Sequence, residues 1–239
     1  MKVLSFSETG CVRKNNEDAY LILPEYGVYA VADGMGGHLA GEVAARIAVE
    51  ELKKEAPTLK ERVGEELESF VKKILLQANR EVFESSTRNP DTEGMGTTFT
   101  VLVFREKQVV LAHVGDSRAY LWRENELHQL TQDHSLVNEL LRLGEISHEE
   151  AEVHPKRHML LRALGADWNL NVDTKIIDYQ PGDVFFLCTD GVSNVVNLQE
   201  IVEEFKKSCS WEERLENLKK LIIQRGAPDN FTALCCITE

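Results

Sequence analysis

The sequence predicts an α+β fold in which antiparallel sheets carry helices on their outer faces. Strand-like segments come in runs joined by tight connections, which allow antiparallel neighbours and leave no room for a βαβ crossover. Between the runs stand pairs of segments with apolar residues at helical spacing, and each such stripe needs a covering surface. The third observation is chemical. Four apolar runs carry an acidic residue beside glycine or asparagine at one end.

The first of these runs is Val28-Tyr29-Ala30-Val31-Ala32-Asp33-Gly34. A helix follows from Gly41 to about Glu55, with Val43, Ala44, Ile47, Ala48 and Leu52 on one face and Pro57 beyond its end. A second helix is expected from about Leu59 to Ser86, where Leu67, Phe70, Val71, Ile74, Ala78 and Val82 keep the spacing and Pro90 stops it late. These faces are read as core packing rather than as a partner groove. Strands are expected at Thr97–Arg105, Gln108–Val114, Arg118–Arg123 and Leu127–Leu130, rich in β-branched and aromatic residues. A helix from about Ser135 to Leu143 leads into a polar stretch, Gly144 to Trp168, which holds His148, His154 and His158 and shows little periodicity. Strands return at Val172–Asp178, Asp183–Thr189 and Phe231–Ile237, with helices near Leu198–Lys207 and Trp211–Arg225 between them. No internal repeat or linker divides the 239 residues, so one domain over residues 1–239 is expected.

Composition narrows the function. Hydrophobic content of 43% and charged content of 28% are those of a globular protein. A net charge of −13 argues against nucleic acid or an anionic membrane as the main partner and suits a protein that concentrates cations. The N-terminus lacks the apolar segment of a secretory signal, and no apolar stretch reaches the ~18 residues of a membrane span. Cys11, Cys188, Cys209, Cys235 and Cys236 form an odd set without C-x-x-C spacing, so free thiols in a reducing cytoplasm are expected. Cys235 and Cys236, adjacent on a strand, should face opposite ways.

The other acidic run ends are Val109–Asp116, Val184–Asp190 and, in reverse order, Asp229–Ile237; Glu17 and Asp18 are read as following a further short segment. Each Asp-Gly alone is ordinary turn chemistry. Turn chemistry does not explain why the charge recurs at strand ends, where an unpaired carboxylate near the core is costly. If Asp183–Thr189 and Phe231–Ile237 pair antiparallel, Asp190 and Asp229 share one sheet edge, which Asp33 and Asp116 can reach after their own strands. A cluster of oxygen ligands selects a hard cation, Mg²⁺ or Mn²⁺, over zinc, and the seven histidines offer no H-E-x-x-H pattern. Two such ions about 3.5–4 Å apart can activate a water and polarise a phosphoryl oxygen. Arg13, shortly before Glu17 and Asp18, has the guanidinium fork that suits phosphate, with a salt bridge to a nearby carboxylate as the equal alternative. A Walker loop, a dinucleotide fingerprint, kinase signatures and a cysteine-nucleophile loop are all missing.

The ordered set Arg13 to Asp18, Val31-Ala32-Asp33-Gly34-Met35-Gly36-Gly37-His38, Gly96-Thr97-Thr98, Val114-Gly115-Asp116-Ser117-Arg118, Asp133-His134-Ser135, Thr189-Asp190-Gly191 and Asp229-Asn230 resembles the metal-dependent protein phosphatases, the type 2C serine/threonine enzymes. The His154-Pro155 to Gly165 segment looks like their small bacterial branch. The resemblance covers nearly the whole chain; each motif is weak alone, and their order is specific. It implies a central β-sandwich flanked by helix pairs, a four-layer αββα arrangement. It also implies Asp33 bridging two Mn²⁺ or Mg²⁺ ions, the Gly34 carbonyl on one, and Asp190 and Asp229 on the other. Glu17 and Asp18 would hold metal-bound waters or complete the shell. Asp116 with Asp190 matches a third, weaker ion of bacterial relatives, and Arg13 matches the substrate-phosphate arginine. His38 lies five residues after Asp33, whereas the proposed general-acid histidine of relatives in higher organisms follows by two, so catalysis and a structural hydrogen bond both stay open. Residues 144–168 correspond to a flap beside the active site.

The expected function is hydrolysis of phosphoserine and phosphothreonine in cytoplasmic proteins, targets of a serine/threonine kinase, by a monomeric enzyme that binds neither nucleic acid nor membrane. A phosphoprotein-binding pseudophosphatase and an esterase of small phosphomonoesters are the alternatives. A pseudoenzyme should lack one of Asp33, Asp190 or Asp229, and all three are present. The chain ends two residues after Ile237, so no fused kinase, sensor or tether is expected.

Overall fold

The computed structural model describes residues 1–36, 40–88 and 90–239. Strands β1 (Lys2–Glu8), β2 (Asp18–Leu23) and β3 (Val28–Met35) open the chain, followed by helices α1 (Ala40–Glu55) and α2 (Gly64–Arg88). Then come β4 (Gly96–Thr97), β5 (Phe99–Arg105), β6 (Gln108–Val114), β7 (Arg118–Arg123) and β8 (Glu126–Gln129). Helices α3 (Leu136–Leu143) and α4 (His148–Glu152) lead to β9 (Asp173–Asp178) and β10 (Val184–Cys188). A short α5 (Asp190–Ser193), then α6 (Leu198–Phe205) and α7 (Trp211–Gln224), precede the last strand, β11 (Phe231–Ile237).

All strand pairs are antiparallel. One sheet runs β1-β11-β10-β7-β8 and the other β2-β3-β5-β6-β9, with β4 also paired to β3. The period-two alternation of side chains sorts each strand between two cores. In β3, Val28, Ala30 and Ala32 pack toward α1 and α2, while Tyr29 and Val31 point at the other sheet. In β10, Val184, Phe186 and Cys188 face α6 and α7, while Phe185 and Leu187 enter the space between the sheets. The result is the expected four-layer sandwich, helix pair, sheet, sheet, helix pair. Cys235 and Cys236 lie in different cores as the alternation requires, and the five cysteines are free thiols.

Several boundaries differ from the sequence reading, each for a local reason. The second helix starts at Gly64 rather than Leu59, because a 3₁₀ turn at Ala56–Leu59 and a left-handed Gly64 (φ +54°) intervene. The expected strand Thr97–Arg105 is interrupted at Thr98, whose amide still donates to the Asp33 carbonyl. Asp33 does not follow its strand but lies within β3, and Asp18 opens β2 rather than trailing a segment. Strand β1 was not anticipated; its apolar residues Val3, Leu4 and Phe6 are broken up by Ser5 and Ser7, and it is recruited by its ladder with β11. The stretch 144–168 contains α4, opened by a capping box between Ser147 and Glu150.

Phe185 is fully buried between the sheets, edge-on to Phe104 at 5.1 Å and to Tyr179 at 6.2 Å. Truncating it removes contacts on which both sheets depend. Phe185→Ala is expected to lower unfolding free energy by ~3–5 kcal/mol in urea titrations, with the far-ultraviolet spectrum retained below the transition.

Candidate metal centre

The rows of side chains that fill the inter-sheet core turn polar at one end. Asp33 continues the row Tyr29, Val31, and Asp18 is its direct ladder partner across β2, so both carboxyl groups share that face. From the other sheet Thr189 and Thr232 continue the inward rows of β10 and β11. Both hydroxyls donate to Asp18 Oδ2, at 2.9 and 2.7 Å. Asp18 Oδ1 is buried without a partner. Asp190 follows β10 at the start of α5, Asp229 precedes β11, and Asp116 stands in the turn between β6 and β7.

These groups feel one another. Burial, then the charges of Asp18, Asp190 and Asp116, holds the Asp33 carboxyl well above the usual carboxylate range, and burial raises Asp190 as well. Burial, reinforced by neighbouring carboxylates, pushes Asp18 up to about 7 and Asp116 to about 7. Burial and the charges of Asp229 and Glu42 likewise raise Glu17 against the opposing pull of Arg13. Among the described residues no three His, Cys, Asp or Glu side chains are gathered tightly enough to enclose an ion. The carboxylates instead make pairwise contacts: Asp229 Oδ2 with Arg13 Nη2 at 2.8 Å, and Asp190 Oδ2 with Asn194 Nδ2 at 3.0 Å. Hard divalent cations that retain several waters suit such a spread set of oxygens. The orphaned Asp18 Oδ1 and the mutual repulsion of four half-buried carboxyls fit divalent cations at this place.

The backbone around Asp33 is fixed from two sides. Its amide donates to Thr98 Oγ1 at 2.9 Å, and its carbonyl accepts from the Thr98 amide and the Thr97 hydroxyl, each at 2.9 Å. Gly34 is pressed between neighbours: a methyl group there would lie 2.1 Å from the Gly41 carbonyl oxygen and 2.6 Å from that of Glu17.

The family-model comparison matches residues 12–222 to protein phosphatase 2C. The serine/threonine phosphatase stp of Listeria monocytogenes is 40% identical over 95% of this chain and 92% of its own length. The crystal structure of the Mycobacterium tuberculosis serine/threonine phosphatase PstP/Ppp superposes with a TM-score of 0.89 at 34% identity, covering 100% of this chain and 98% of that one. A structure of the PstP catalytic domain in complex with two manganese ions gives 0.86 at 33% identity, covering 98% and 96%. The chain belongs to the protein phosphatase 2C family. It is a metal-dependent serine/threonine phosphatase, and its cofactor is Mn²⁺ or Mg²⁺ at a dinuclear centre.

In this phosphatase the structure brings Arg13, Glu17, Asp18, Asp33, Gly34, Asp116, Asp190 and Asp229 to one end of the sandwich. His38 lies outside the described residues. Arg13 adopts the salt-bridge alternative with Asp229, and its half-exposed guanidinium keeps further N–H groups open to solvent. Residues 144–168 bring His158 within electrostatic reach of Asp190.

Sequence reasoning missed the residues that hold these groups in place. Asn230, almost buried, accepts the Glu17 amide at 2.9 Å and donates both amide hydrogens, to the carbonyls of Thr9 and Asn15 at 2.8 Å each. One side chain thus clamps both ends of the loop that presents Arg13. The signal was its place beside Asp229, read only as a partner of the acid. His113 had no signal; it is buried, near Thr100 Oγ1 (2.9 Å) and the Gln132 carbonyl (3.1 Å).

Asn230→Asp keeps the acceptor and removes both donors. It is expected to leave the fold intact, speed amide exchange across residues 9–17 and raise KM for a phosphopeptide about tenfold, the equivalent of one or two lost hydrogen bonds. A second expectation concerns acid. Burial lowers the His113 pKa from 6.5 to about 3, so below pH 6.5 the unfolded chain takes a proton that the folded one refuses. Native stability carried by neutral His113 is therefore lost as pH falls. His113→Gln should be less stable at neutral pH, and its deficit should shrink by at most ~1.4 kcal/mol per pH unit below that point in paired urea titrations.

Proposed function

We propose that this phosphatase hydrolyses phosphoserine and phosphothreonine in proteins with its ions held by Asp33, the Gly34 carbonyl, Asp190 and Asp229. Glu17 and Asp18 hold the water shell around them, and Asp116 with Asp190 serves a third, weaker ion. The convergence of acidic groups from five separate chain segments on one end of the sandwich, with an arginine beside them, carries this reading. Bound there, the ions supply Lewis acidity toward the phosphoryl oxygens and a more acidic water for attack on phosphorus.

The chain's own residues do the rest. Burial and repulsion raise the pKa values of Asp33 and Asp190, and a bound divalent cation would favour the charged carboxylates that hold it. Asp18 is kept facing the centre by the Thr189 and Thr232 hydroxyls and leaves Oδ1 free for a water. Arg13, steadied by Asp229, directs its remaining N–H groups to the non-bridging oxygens of the substrate phosphate. His38 is the candidate donor to the departing seryl or threonyl oxygen, with a structural hydrogen bond as its other role.

Residues 1–239 act as one catalytic domain, and residues 144–168 as a flap that helps choose the substrate. The substrates are phosphoproteins made by a serine/threonine kinase, and the enzyme works as a monomer in the cytoplasm. Among the described residues no helix is long and apolar enough to cross a membrane. The pseudophosphatase alternative is disfavoured by the complete carboxylate set. Turnover of a phosphopeptide compared with small phosphomonoesters tests the esterase alternative.

Removing metal with a chelator should abolish hydrolysis, and adding Mn²⁺ should restore it. Asp229→Asn should lower turnover by orders of magnitude and weaken Mn²⁺ binding measured by calorimetry, because carboxylate charge holds the ion. Full activity in the chelated enzyme would overturn the mechanism. Arg13→Ala should raise KM far more than it lowers kcat, and Arg13→Lys should recover only part, having lost the bidentate fork. An unchanged KM would leave Arg13 as a salt-bridge partner alone.

A further inference from the structure

Asp116 sits in the turn between β6 and β7, and that turn is gripped by residues 133–135. The Gly115 amide donates to His134 Nδ1 at 3.1 Å, and the Gly115 carbonyl accepts the His134 amide at 2.8 Å. Gly115 is left-handed (φ +111°), and a methyl group there would lie 2.5 Å from the Thr98 side chain. The position therefore cannot carry a side chain to steady the turn, and the acceptor must come from elsewhere.

His134 supplies it from a buried ring that tilts against His113, with centroids 4.8 Å apart. Its other nitrogen, Nε2, is 3.2 Å from both Asp173 Oδ2 and Arg162 Nη1, and Arg162 Nη1 donates to Asp173 Oδ1 at 2.9 Å; a protonated Nε2 can pair only with the carboxylate, since the guanidinium has no lone pair to accept its hydrogen. These contacts define the tautomer. Nδ1 accepts from Gly115, so it is bare; Nε2 therefore carries the hydrogen and donates to Asp173. Burial favours the same neutral ring by lowering its pKa. The second grip is ionic, since Asp133 takes the Arg118 guanidinium on both oxygens, at 2.7–3.0 Å. It fixes the far side of the turn and leaves the Gly115 amide to the imidazole. A cavity of about 490 Å³ opens over His134, Arg162 and Asp173, so the outer half of this chain of contacts borders solvent while the inner half is buried.

We infer that His134 is a positioning residue for Asp116: its neutral imidazole, with the tautomer set by Asp173, holds Gly115 so that the Asp116 carboxylate faces Asp190. This rests on the reading of Asp116 as an ion ligand. His134 touches neither substrate nor ion; it acts through the Gly115 amide.

Three substitutions separate this role from plain packing. Asn places its carbonyl oxygen where Nδ1 stands and keeps the acceptor. Gln reaches the Nε2 position instead, and Leu removes both. In the metal-free full chain, His134→Leu and His134→Gln should exchange the Gly115 amide about tenfold faster by nuclear magnetic resonance, the loss of one hydrogen bond, whereas His134→Asn stays within about threefold of wild type. In the metal-loaded enzyme the same two variants should lose about tenfold in affinity for the weakest Mn²⁺ and in kcat on phosphopeptide, with KM and the two tight ions unchanged, and His134→Asn should recover most of both. If His134→Leu does not fold, His134→Gln against His134→Asn decides. Equal behaviour of those two variants, whether both impaired or both like wild type, overturns the positioning role. Asp116→Asn serves as the separate control. Unchanged weak-ion affinity in that variant removes Asp116 from the ligands, while the Gly115 exchange data still judge His134.

Discussion

The repulsion among crowded, half-buried carboxyl groups at one end of the sandwich is the constraint on which the rest of the structure depends. Asp18, Asp33, Asp116 and Asp190 are each partly withdrawn from water, and they crowd one another's charged forms. A flexible chain would splay them apart. The two sheets prevent this, because Asp33 lies within β3, Asp18 opens β2 directly opposite it, β10 delivers Asp190 from the facing sheet, and the turn from β6 to β7, which joins the two sheets, carries Asp116. The apolar inter-sheet core, anchored by Phe104, Phe185 and Leu234, sets the separation at which those groups meet. Divalent cations answer the repulsion with charge, so the metal requirement follows from the packing.

The supporting contacts are mostly neutral, and that choice has a physical basis. Thr189, Thr232, Thr97, Thr98 and Asn230 satisfy carboxylates and backbone groups without adding positive charge. A lysine in their place would compensate the carboxylates permanently and compete with the ions. The arginines nearest the centre are already engaged: Arg118 is bound on both oxygens by Asp133, and Arg13 leans on Asp229. The local charge therefore stays negative enough to hold cations, and Arg13 remains exposed on its substrate side.

Much of this was legible in the sequence because strands announce themselves twice, by β-branched composition and by where their acidic ends fall. Gln108–Val114, Arg118–Arg123 and Phe231–Ile237 match the strands residue for residue. The acidic residues were found for the same reason, since each interrupts an apolar run. Elements that depend on a partner were not legible. Strand β1 alternates weakly and gains its conformation from β11; the start of α2 was misplaced because Leu59 fits the helical stripe while its backbone belongs to a 3₁₀ turn. Asn230, His113 and His134 were missed as supports because their partners lie far along the chain, and nothing in composition marks a hydrogen bond to residue 9 or residue 115.

Alternation also explains why fold and site cannot drift apart. Tyr29, Val31 and Asp33 share one face of β3, so slipping that strand by one residue would turn Asp33 toward the helices and Ala32 toward the other sheet. The slip would strip Tyr29 from its place against Phe104, at 5.6 Å between rings, and bury it among the alanines of α1. At the other end the register is held by Thr97 and Thr98 on the Asp33 backbone and by the Gly34 amide on the Glu17 carbonyl at 3.2 Å. Gly34 and Gly41 pass so closely that a side chain on either would force β3 away from α1. The glycines beside the acids thus act first on register, and through register on where the charge is aimed. An acidic residue and its glycine recur together at Asp33, Asp116 and Asp190 because placing the carboxylate and letting the backbone pass close are one geometric requirement.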